Sequence, residues 1–337
     1  MKTKFIFSFV NRDENGIYRD MTSSKADGII DFLPSHKVKN NIIARKVEQV
    51  LLSSRFQNTP ITPIFQNYYA NLDSYPYNDD TTYFILMPST SVGKLSTSYL
   101  ESFARRHRNV KLFPILTDSI HASSPHMEYV RPKLNSPAWD RVLTFDKNDA
   151  SEFGYTWFGY TWYSTFDEIV PSNERTDLFY VGYKKGNREH LIAEIYDAAI
   201  NEGVNCDFRI VSSEVDEIIK GSKLKYTNQR FKYPELISTI KSSNCLLEVL
   251  QEGQETQTIK YYEAVCYGKK LLTNNKNLYE LPYYNDATMK YFETVSDIDW
   301  KWIKDDSTVE YNYQGEFSPL RIVDFLKELY DVEKDKD

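Results

Sequence analysis

The stretch "YPELISTIKSSNCLLEVLQEGQETQTIKYYEAVCYGKKLLTNN" (residues 233–275) alternates two helical patterns with two strand patterns. Pro234 stands in the first turn of the first helix, and Gly268 ends the second helix. The runs "NCLLEVL" and "KKLLTNN" are apolar through much of their length, which is typical of strands that are buried on both faces. The stretch therefore predicts a parallel sheet that is covered by helices on both sides.

The same alternation runs through the rest of the chain. The apolar runs that predict further strands lie at residues 4–10, 81–87, 110–117, 141–145, 177–182 and 206–211. Helical patterns separate them at 40–54, 94–107 and 187–203. The mixed, charged segment at 163–177 contains a proline and interrupts the alternation, so it marks a domain boundary.

These patterns predict an α/β protein with two doubly wound, Rossmann-like parallel-sheet domains that face each other across a cleft. We place the domains at residues 1–170 and 171–337. The amphipathic pattern at 318–331 predicts a closing helix, which is free to pack back on the N-terminal domain.

Composition indicates a globular protein of a reducing compartment. The chain has 337 residues, of which 41% are hydrophobic and 26% are charged. Its first apolar run is too short for a signal sequence, and no later run has membrane-spanning length. Three cysteines without metal-type spacing favour core thiols. We therefore expect a cytoplasmic protein.

The formal net charge of −7 is unevenly distributed. Residues 1–170 hold 19 Lys and Arg against 18 Asp and Glu, whereas residues 171–337 hold 22 against 30. The basic cluster "RRHR" (105–108) suits either an anionic membrane surface or a solvated helix end whose cations meet the helix dipole. Nothing in the charge pattern indicates nucleic-acid binding.

The segment "VGYKKGNRE" (181–189) follows a predicted strand and opens a predicted helix. Backbone N–H groups, a helix N-terminus and fixed cations suit a diphosphate at such a turn. The candidate donor-binding residues here are Gly182, Lys184, Lys185, Gly186 and Arg188. The segment matches neither G-x-G-x-x-G nor a Walker A loop, and an ordinary glycine turn with solvated lysines explains it equally well.

The segment "QEGQETQTIKYYEA" (251–264) follows the next predicted strand. Thr258 is a candidate helix cap, and periodicity places Lys260 and Tyr261 on the exposed side of the helix. The buried side is assigned to Ile259, Tyr262 and Cys266. Glu263, with Gln254 and Thr258, could bind the hydroxyls of a ribose. An acid that complements the helix dipole is the alternative.

The string Q-x-x-x-T-x-K-x-x-E-A in this segment, followed by "KKLLTNN", resembles the donor-site region of bacterial capsular, exopolysaccharide and lipopolysaccharide glycosyltransferases with a GT-B fold. The resemblance extends over most of the chain from about residue 141. It implies an N-terminal acceptor-side domain and a C-terminal donor domain. It also implies that loop 182–188 holds the donor diphosphate and that Glu263 binds the ribose or the transferred sugar.

Two departures from the family pattern affect the phosphate contacts. Thr256 stands where the family often has glycine, and Lys260 replaces a bidentate arginine with a point charge. Glu255 and Glu263 match the E-x₇-E spacing of retaining enzymes, but the family likeness supports only the second acid, so the stereochemistry stays open.

An inverting enzyme needs a general base from the first domain. Asp118 and His121 follow the predicted strand 110–117 and are the catalytic candidates, with Asp13 as a second choice. A turn-forming aspartate and a surface histidine are the alternative interpretations. No metal site is expected, because no D-x-D pair precedes a suitable strand and the GT-B family needs no divalent ion.

The sequence hypothesis is a hexosyltransferase that uses a nucleoside-diphosphate sugar, first of all a UDP-sugar, and no cofactor. Its acceptor would be a lipid-linked surface-polysaccharide unit, which leaves open peripheral contact with the inner membrane face and oligomer formation. The alternatives are a two-domain nucleotide-sugar epimerase and a non-catalytic, nucleotide-sugar-binding partner subunit of a transferase.

Overall fold

A computed structural model describes most of the chain. The described residues are 2–8, 16, 18–23, 30–33, 50, 72–116, 118–121, 127–159, 163–184, 188–212, 219, 222–229, 231–251, 254–307 and 309–334. Contacts between Cα atoms divide the chain into two compact units. The first comprises Met1–Glu14, Tyr18–Trp162 and Pro319–Asp337, and the second comprises Asn15–Ile17 and Tyr163–Ser318.

The described part of the first unit is built around a six-stranded parallel sheet with the strand order β2-β1-β3-β4-β5-β6. The strands are β1 Lys2–Phe7, β2 Ile30–Phe32, β3 Thr81–Pro88, β4 Val110–Leu116, β5 Leu143–Thr144 and β6 Thr156–Trp157. The helices are α1 Arg19–Ser23, α2 Ser89–Val92, α3 Thr97–Arg106, α4 Met127–Val130 and α5 Lys147–Phe153. Short 3-10 helices lie at Leu72–Ser74 and Arg131–Lys133.

Side chains of β3 alternate between two buried layers. Ile85 and Met87 pack in a cluster with Leu100 and Phe103 of α3, whose start is capped by the Ser96 hydroxyl. Phe84 packs on the opposite face. Burial on both faces explains why this strand reads as a continuous apolar run.

The closing helix is α10, Arg321–Lys334, and it belongs to the first unit. Its Ile322, Val323 and Leu326 are buried in the cluster that contains Phe84. The ring of Tyr330 meets that of Phe84 edge to face, with 4.9 Å between centroids. The C-terminal end of the chain therefore covers one face of the first sheet.

The second unit holds another six-stranded parallel sheet, with the order β12-β11-β10-β7-β8-β9 among its described residues. Its strands are β7 Thr176–Tyr183, β8 Cys206–Val211, β9 Tyr226–Thr227, β10 Ser243–Glu248, β11 Lys270–Thr273 and β12 Met289–Tyr291. Its helices are α6 Arg188–Asn201, α7 Tyr233–Ser242, α8 Ile259–Tyr267 and α9 Trp300–Lys304. Short 3-10 helices lie at Leu278–Glu280 and Val295–Asp297.

Both sheets are doubly wound, because successive connections first run toward one edge and then toward the other. In the first sheet the direction reverses between β1 and β3, and in the second it reverses between β7 and β10. The predicted fold class, two doubly wound parallel sheets in an α/β protein, is thus confirmed. A reversal of this kind leaves a crevice at the carboxyl ends of the two strands beside it.

Some sequence predictions differ from the structure or lie outside it. The first strand is Lys2–Phe7, so it begins two residues before the predicted 4–10. Residues 9–10 lie outside the described residues, as does the predicted helix 40–54 except for Val50. The segment 163–170 was predicted to belong to the N-terminal domain. However, the Lys241 ammonium donates hydrogen bonds to the carbonyls of Phe166 and Ile169, at 2.6 and 2.8 Å, so this segment is held by the second unit.

The packing of α10 predicts the effect of Leu326→Ala. Leu326 is fully buried, so its truncation should lower the free energy of unfolding by about 2 to 5 kcal/mol. Urea denaturation would measure the loss. Glu328→Ala, an exposed change on the same helix, is the matched control and should cost less than about 0.5 kcal/mol. Equal effects of the two changes would mean that α10 does not cover the sheet.

Candidate functional site at the reversal of the second sheet

A cavity of about 460 Å³ opens where the second sheet reverses direction. Its walls come from the start of α6 and from the loops that follow β10 and β11. The lining residues are Arg188, Leu191, Val249, Leu250, Gln251, Gln254, Glu255, Asn274, Asn275, Lys276 and Asn277. Its volume and its mixture of apolar and polar walls are typical of a small-molecule site.

Arg188 connects the two strands at the reversal. Its guanidinium donates hydrogen bonds to the carbonyl of Val249, at 3.1 Å, and to that of Tyr183, at 3.3 Å. Gly182 makes room for this arrangement, because a Cβ there would lie 3.2 Å from Arg188 Nη2 and only 2.4 Å from the hydroxyl of Tyr180. Both residues are predicted donor-binding residues. Arg188 lines the cavity, and Gly182 lies next to its guanidinium without lining the cavity itself.

The other predicted residues of this loop take different positions. Lys184 is exposed, and its ammonium lies 4.6 Å from the ring centroid of Tyr226. Lys185 and Gly186 lie outside the described residues.

Glu248, the last residue of β10, is a carboxylate buried at the base of the loops that form the cavity. Its Oε1 accepts hydrogen bonds from the backbone N–H of Thr258, at 2.6 Å, and from the Thr258 hydroxyl, at 2.7 Å. Its Oε2 accepts from the hydroxyl of Thr273, at 2.6 Å. We call this set of three residues the Glu248 clamp.

Each threonine hydroxyl of the Glu248 clamp also accepts a hydrogen bond from the backbone N–H two residues later. The Thr258 hydroxyl caps α8 by accepting from the N–H of Lys260, at 3.2 Å. The Thr273 hydroxyl accepts from the N–H of Asn275, at 3.0 Å. One carboxylate therefore fixes the start of α8 and the loop after β11 relative to the end of β10.

Burial raises the pKa of Glu248, and the hydrogen bonds from Thr273 and Thr258 oppose that rise. The threonine hydroxyls act in this way because they stabilise the charged form of the carboxyl group. The charged form of Glu248 is thus stabilised by the two threonines, and their donors in turn need the carboxylate as an acceptor. Glu248 is not among the residues predicted from sequence, although an acid inside the apolar run "NCLLEVL" is a usable signal.

Lys260 and Glu263 form a second interior group. Lys260 Nζ lies 2.5 Å from Glu263 Oε2, and the Lys260 and Glu263 side chains are 7% and 0% exposed. The ammonium also lies 5.5 Å from the ring centroid of Phe179. The prediction that Lys260 and Tyr261 lie on the exposed side is wrong, because both are buried.

Glu263 is surrounded by tyrosines. Burial raises the pKa values of Tyr163 and Tyr233, and the negative charge of Glu263 raises them further. Burial also raises the pKa of Glu263, while the Lys260 ammonium opposes that rise. Glu263 and Lys260 do not line the cavity described above. Their predicted contacts with a donor remain predictions.

Gln254 and the loop after β11 supply polar groups to the cavity. Gln254, a predicted donor-binding residue, lines the cavity and donates through its side chain to the carbonyl of Thr256, at 3.1 Å. The polar run at 274–277 was not predicted to form part of the site. It could have been found, since it directly follows a predicted strand and the carboxyl ends of parallel strands share one edge.

The two catalytic candidates lie in the first unit, after β4. His121 Nε2 is 2.8 Å from Glu152 Oε2, and both side chains are about half exposed. The loop that carries them is held by Asp149, which accepts hydrogen bonds from the Ser119 hydroxyl and the Ile120 N–H. Asp118 is close enough to Tyr18 to add to the rise that burial causes in the pKa of that tyrosine. Asp13 lies outside the described residues.

Within the described part of the chain, no three His, Cys, Asp or Glu side chains are arranged to hold a metal ion. No described helix has the length and apolar character needed to cross a membrane.

Comparison with known proteins gives distant structural likenesses. No protein-family model and no curated protein matches the sequence. Among solved structures, the glycotransferase of kitacinnamycin shares 8% identity and a TM-score of 0.45, over 97% of this chain and 98% of that chain. The glycosyltransferase SnogD from Streptomyces nogalater shares 11% identity and a TM-score of 0.37, over 81% of this chain and 82% of that chain.

The Glu248 clamp predicts a large loss of stability in Glu248→Ala. The change removes three hydrogen bonds to one carboxylate and leaves the buried Thr273 hydroxyl and two partly buried Thr258 donors without their acceptor. The free energy of unfolding should therefore fall by about 3 kcal/mol or more. Thr273→Val removes one of these bonds and should cost less. Urea denaturation would compare both with Glu194→Ala, an exposed change on α6. A loss in Glu248→Ala no greater than in this control would contradict the clamp.

The buried carboxyl of Glu263 predicts a pH dependence. Because its pKa is raised in the folded protein, the folded state keeps a proton that the unfolded state releases. As the pH rises from the ordinary carboxyl pKa to the raised value, the free energy of unfolding of the wild type therefore falls. Glu263→Gln has no carboxyl group at this position and lacks this part of the pH dependence. The stability of Glu263→Gln relative to wild type should thus rise with pH.

Urea denaturation of both proteins between about pH 4 and pH 8 would test this. A stability difference that is constant over this range would show that burial does not raise the pKa of Glu263.

Proposed function

We propose that this protein is a glycosyltransferase that binds a nucleoside-diphosphate sugar in the cavity of its second unit. The observation that carries the proposal is the position of this cavity at the carboxyl ends of β7 and β10, where the second sheet reverses. Doubly wound sheets bind nucleotides at such points. The sequence resemblance to bacterial polysaccharide glycosyltransferases gives the reaction class.

The chemistry of the cavity walls suits the two halves of a nucleotide sugar. Leu191, Val249 and Leu250 offer apolar surface to a base, and the polar residues of the loops at 251–255 and 274–277 offer hydrogen bonds. Arg188 stands at the start of the 14-residue helix α6, where a cation and a helix N-terminus together favour an anion.

In the proposed reaction an acceptor hydroxyl attacks the anomeric carbon of the sugar, and the bond from that carbon to the diphosphate oxygen breaks. The leaving diphosphate gains negative charge, which Arg188 and the N-terminus of α6 would stabilise. The acceptor hydroxyl loses its proton to a general base. We keep Asp118 and His121 as the candidates for this base, and the contact between His121 and Glu152 would orient the imidazole.

The resemblance also suggests the finer features of the function. We propose a hexose as the transferred sugar, UDP as the first nucleotide to test and a lipid-linked surface-polysaccharide unit as the acceptor. No cofactor or metal enters the proposed reaction. A cytoplasmic location with peripheral contact to the membrane follows from such an acceptor.

Binding and turnover experiments test this function. Thermal unfolding with UDP-, GDP-, dTDP- and CMP-sugars should show stabilisation by at least one donor, because a ligand that binds only the folded state raises its stability. Release of the nucleotide should then require a lipid-diphosphate-linked sugar acceptor. Stabilisation without release would favour a binding subunit, and stabilisation by none of the donors would contradict the proposal.

A pair of tryptophan variants on α6 locates the donor. Leu191→Trp fills the cavity and should weaken donor binding about tenfold or more, whereas Ile200→Trp, a partly exposed position on the same helix, should not. Isothermal titration would measure both, with circular dichroism as a check of folding. Equal affinities would place the donor elsewhere.

A further inference from the structure

Two side-chain donors that belong to cavity-lining residues are buried and have no hydrogen-bond partner in the described protein. They are Nδ2 of Asn275 and Nε of Arg188. Asn275 is only 1% exposed. A buried polar group without a partner is costly, so each of these atoms is a point at which a ligand acceptor would be strongly favoured.

The orientation of the Asn275 amide is fixed by the protein. Its Oδ1 accepts a hydrogen bond from the N–H of Asn277, at 3.0 Å, so turning the amide would bring two donors together. The backbone N–H of Asn275 donates to the Thr273 hydroxyl, which in turn donates to Glu248. The Glu248 clamp therefore holds the Asn275 backbone in place, and the bond from Asn277 leaves Nδ2 as the donor without a partner.

The chemistry of the cavity indicates what this donor binds. Among the described cavity residues, the buried atoms without a partner are both donors, and neither is an acceptor. Arg188 and Lys276 bring two positive charges to the walls and Glu255 brings one negative charge, while the Lys276 ammonium lies 3.7 Å from the Glu293 carboxylate. Two donors, one of them on the Arg188 guanidinium, suit an oxygen that accepts several hydrogen bonds and carries negative charge.

We propose that Asn275 is a ligand-binding residue that donates a hydrogen bond through Nδ2 to a phosphoryl oxygen, beside Arg188. The inference rests on the proposed function in taking that phosphoryl group to belong to a nucleoside diphosphate sugar. It assigns the diphosphate to the loop after β11 together with Arg188, while the Lys260 ammonium is paired with Glu263 in the interior.

Asn275→Asp tests the donor with little change of shape. The carboxylate retains an oxygen for the Asn277 N–H but replaces the donor with a negative charge. Asn285→Asp is the matched control, because the Asn285 side chain accepts from the N–H two residues later, as Asn275 does, and Asn285 does not line the cavity.

Circular dichroism and urea denaturation establish that each variant is folded. Asn275→Ser replaces Asn275→Asp if the latter is unfolded, since serine forms similar turns.

Isothermal titration with pyrophosphate, UDP and uridine separates the parts of the ligand. Asn275→Asp should weaken pyrophosphate and UDP about tenfold or more and leave uridine within about twofold, while Asn285→Asp leaves all three within about twofold. Undiminished binding of UDP and pyrophosphate by Asn275→Asp would overturn the inference. So would a loss for uridine as large as that for UDP, which would assign Asn275 to the nucleoside.

The outcomes also distinguish this inference from the proposed function. If wild-type protein binds pyrophosphate, and Asn275→Asp does not, but neither UDP nor any nucleotide sugar binds, the phosphoryl contact stands and the glycosyltransferase proposal fails. If wild-type protein turns over a donor and Asn275→Asp binds UDP normally, the function stands and the contact fails. If neither pyrophosphate nor UDP binds wild-type protein, both fail.

Discussion

The carboxylate of Glu248 is the constraint on which the candidate site depends. It accepts three hydrogen bonds, all between 2.6 and 2.7 Å, while almost completely buried. A buried carboxylate is unfavourable unless such donors surround it, and the donors are equally unfavourable without it. Thr258 belongs to the loop before α8, and Thr273 ends β11. Their bonds to Glu248 therefore hold the two cavity loops in place relative to β10.

The fold supplies the rest of the positioning. A parallel sheet brings the carboxyl ends of β7, β10 and β11 to one edge, and the reversal between β7 and β10 leaves a crevice there. Arg188 crosses this edge by donating to the carbonyls that end β7 and follow β10. The apolar layers on both sides of the sheet therefore determine where the site lies, and a few polar side chains determine its shape.

Much of the fold could be predicted from sequence, because its signals are local. Pro234 and Gly268 mark the start of one helix and the end of another, and the apolar runs of β3, β7, β10 and β11 are long enough to identify buried strands. The environment of α8 could not be predicted. Residues 260–265 are all buried, because the sheet lies on one side and aromatic rings such as Phe317 pack against Tyr261 and Tyr262 on another. Periodicity assumes one solvated side, which this helix lacks.

The same difference explains which parts of the site a motif can reveal. The spacing of Glu255 and Glu263 is visible in the sequence, but their surroundings come from residues distant in the chain. Glu263 lies among Tyr163, Tyr233 and Lys260 in the interior, whereas the exposed Glu255 lines the cavity. Both acids come from one motif, yet one is paired with an ammonium in the interior and the other is exposed at the wall of the cavity. Burial, which no spacing encodes, therefore gives two acids of the same motif different surroundings.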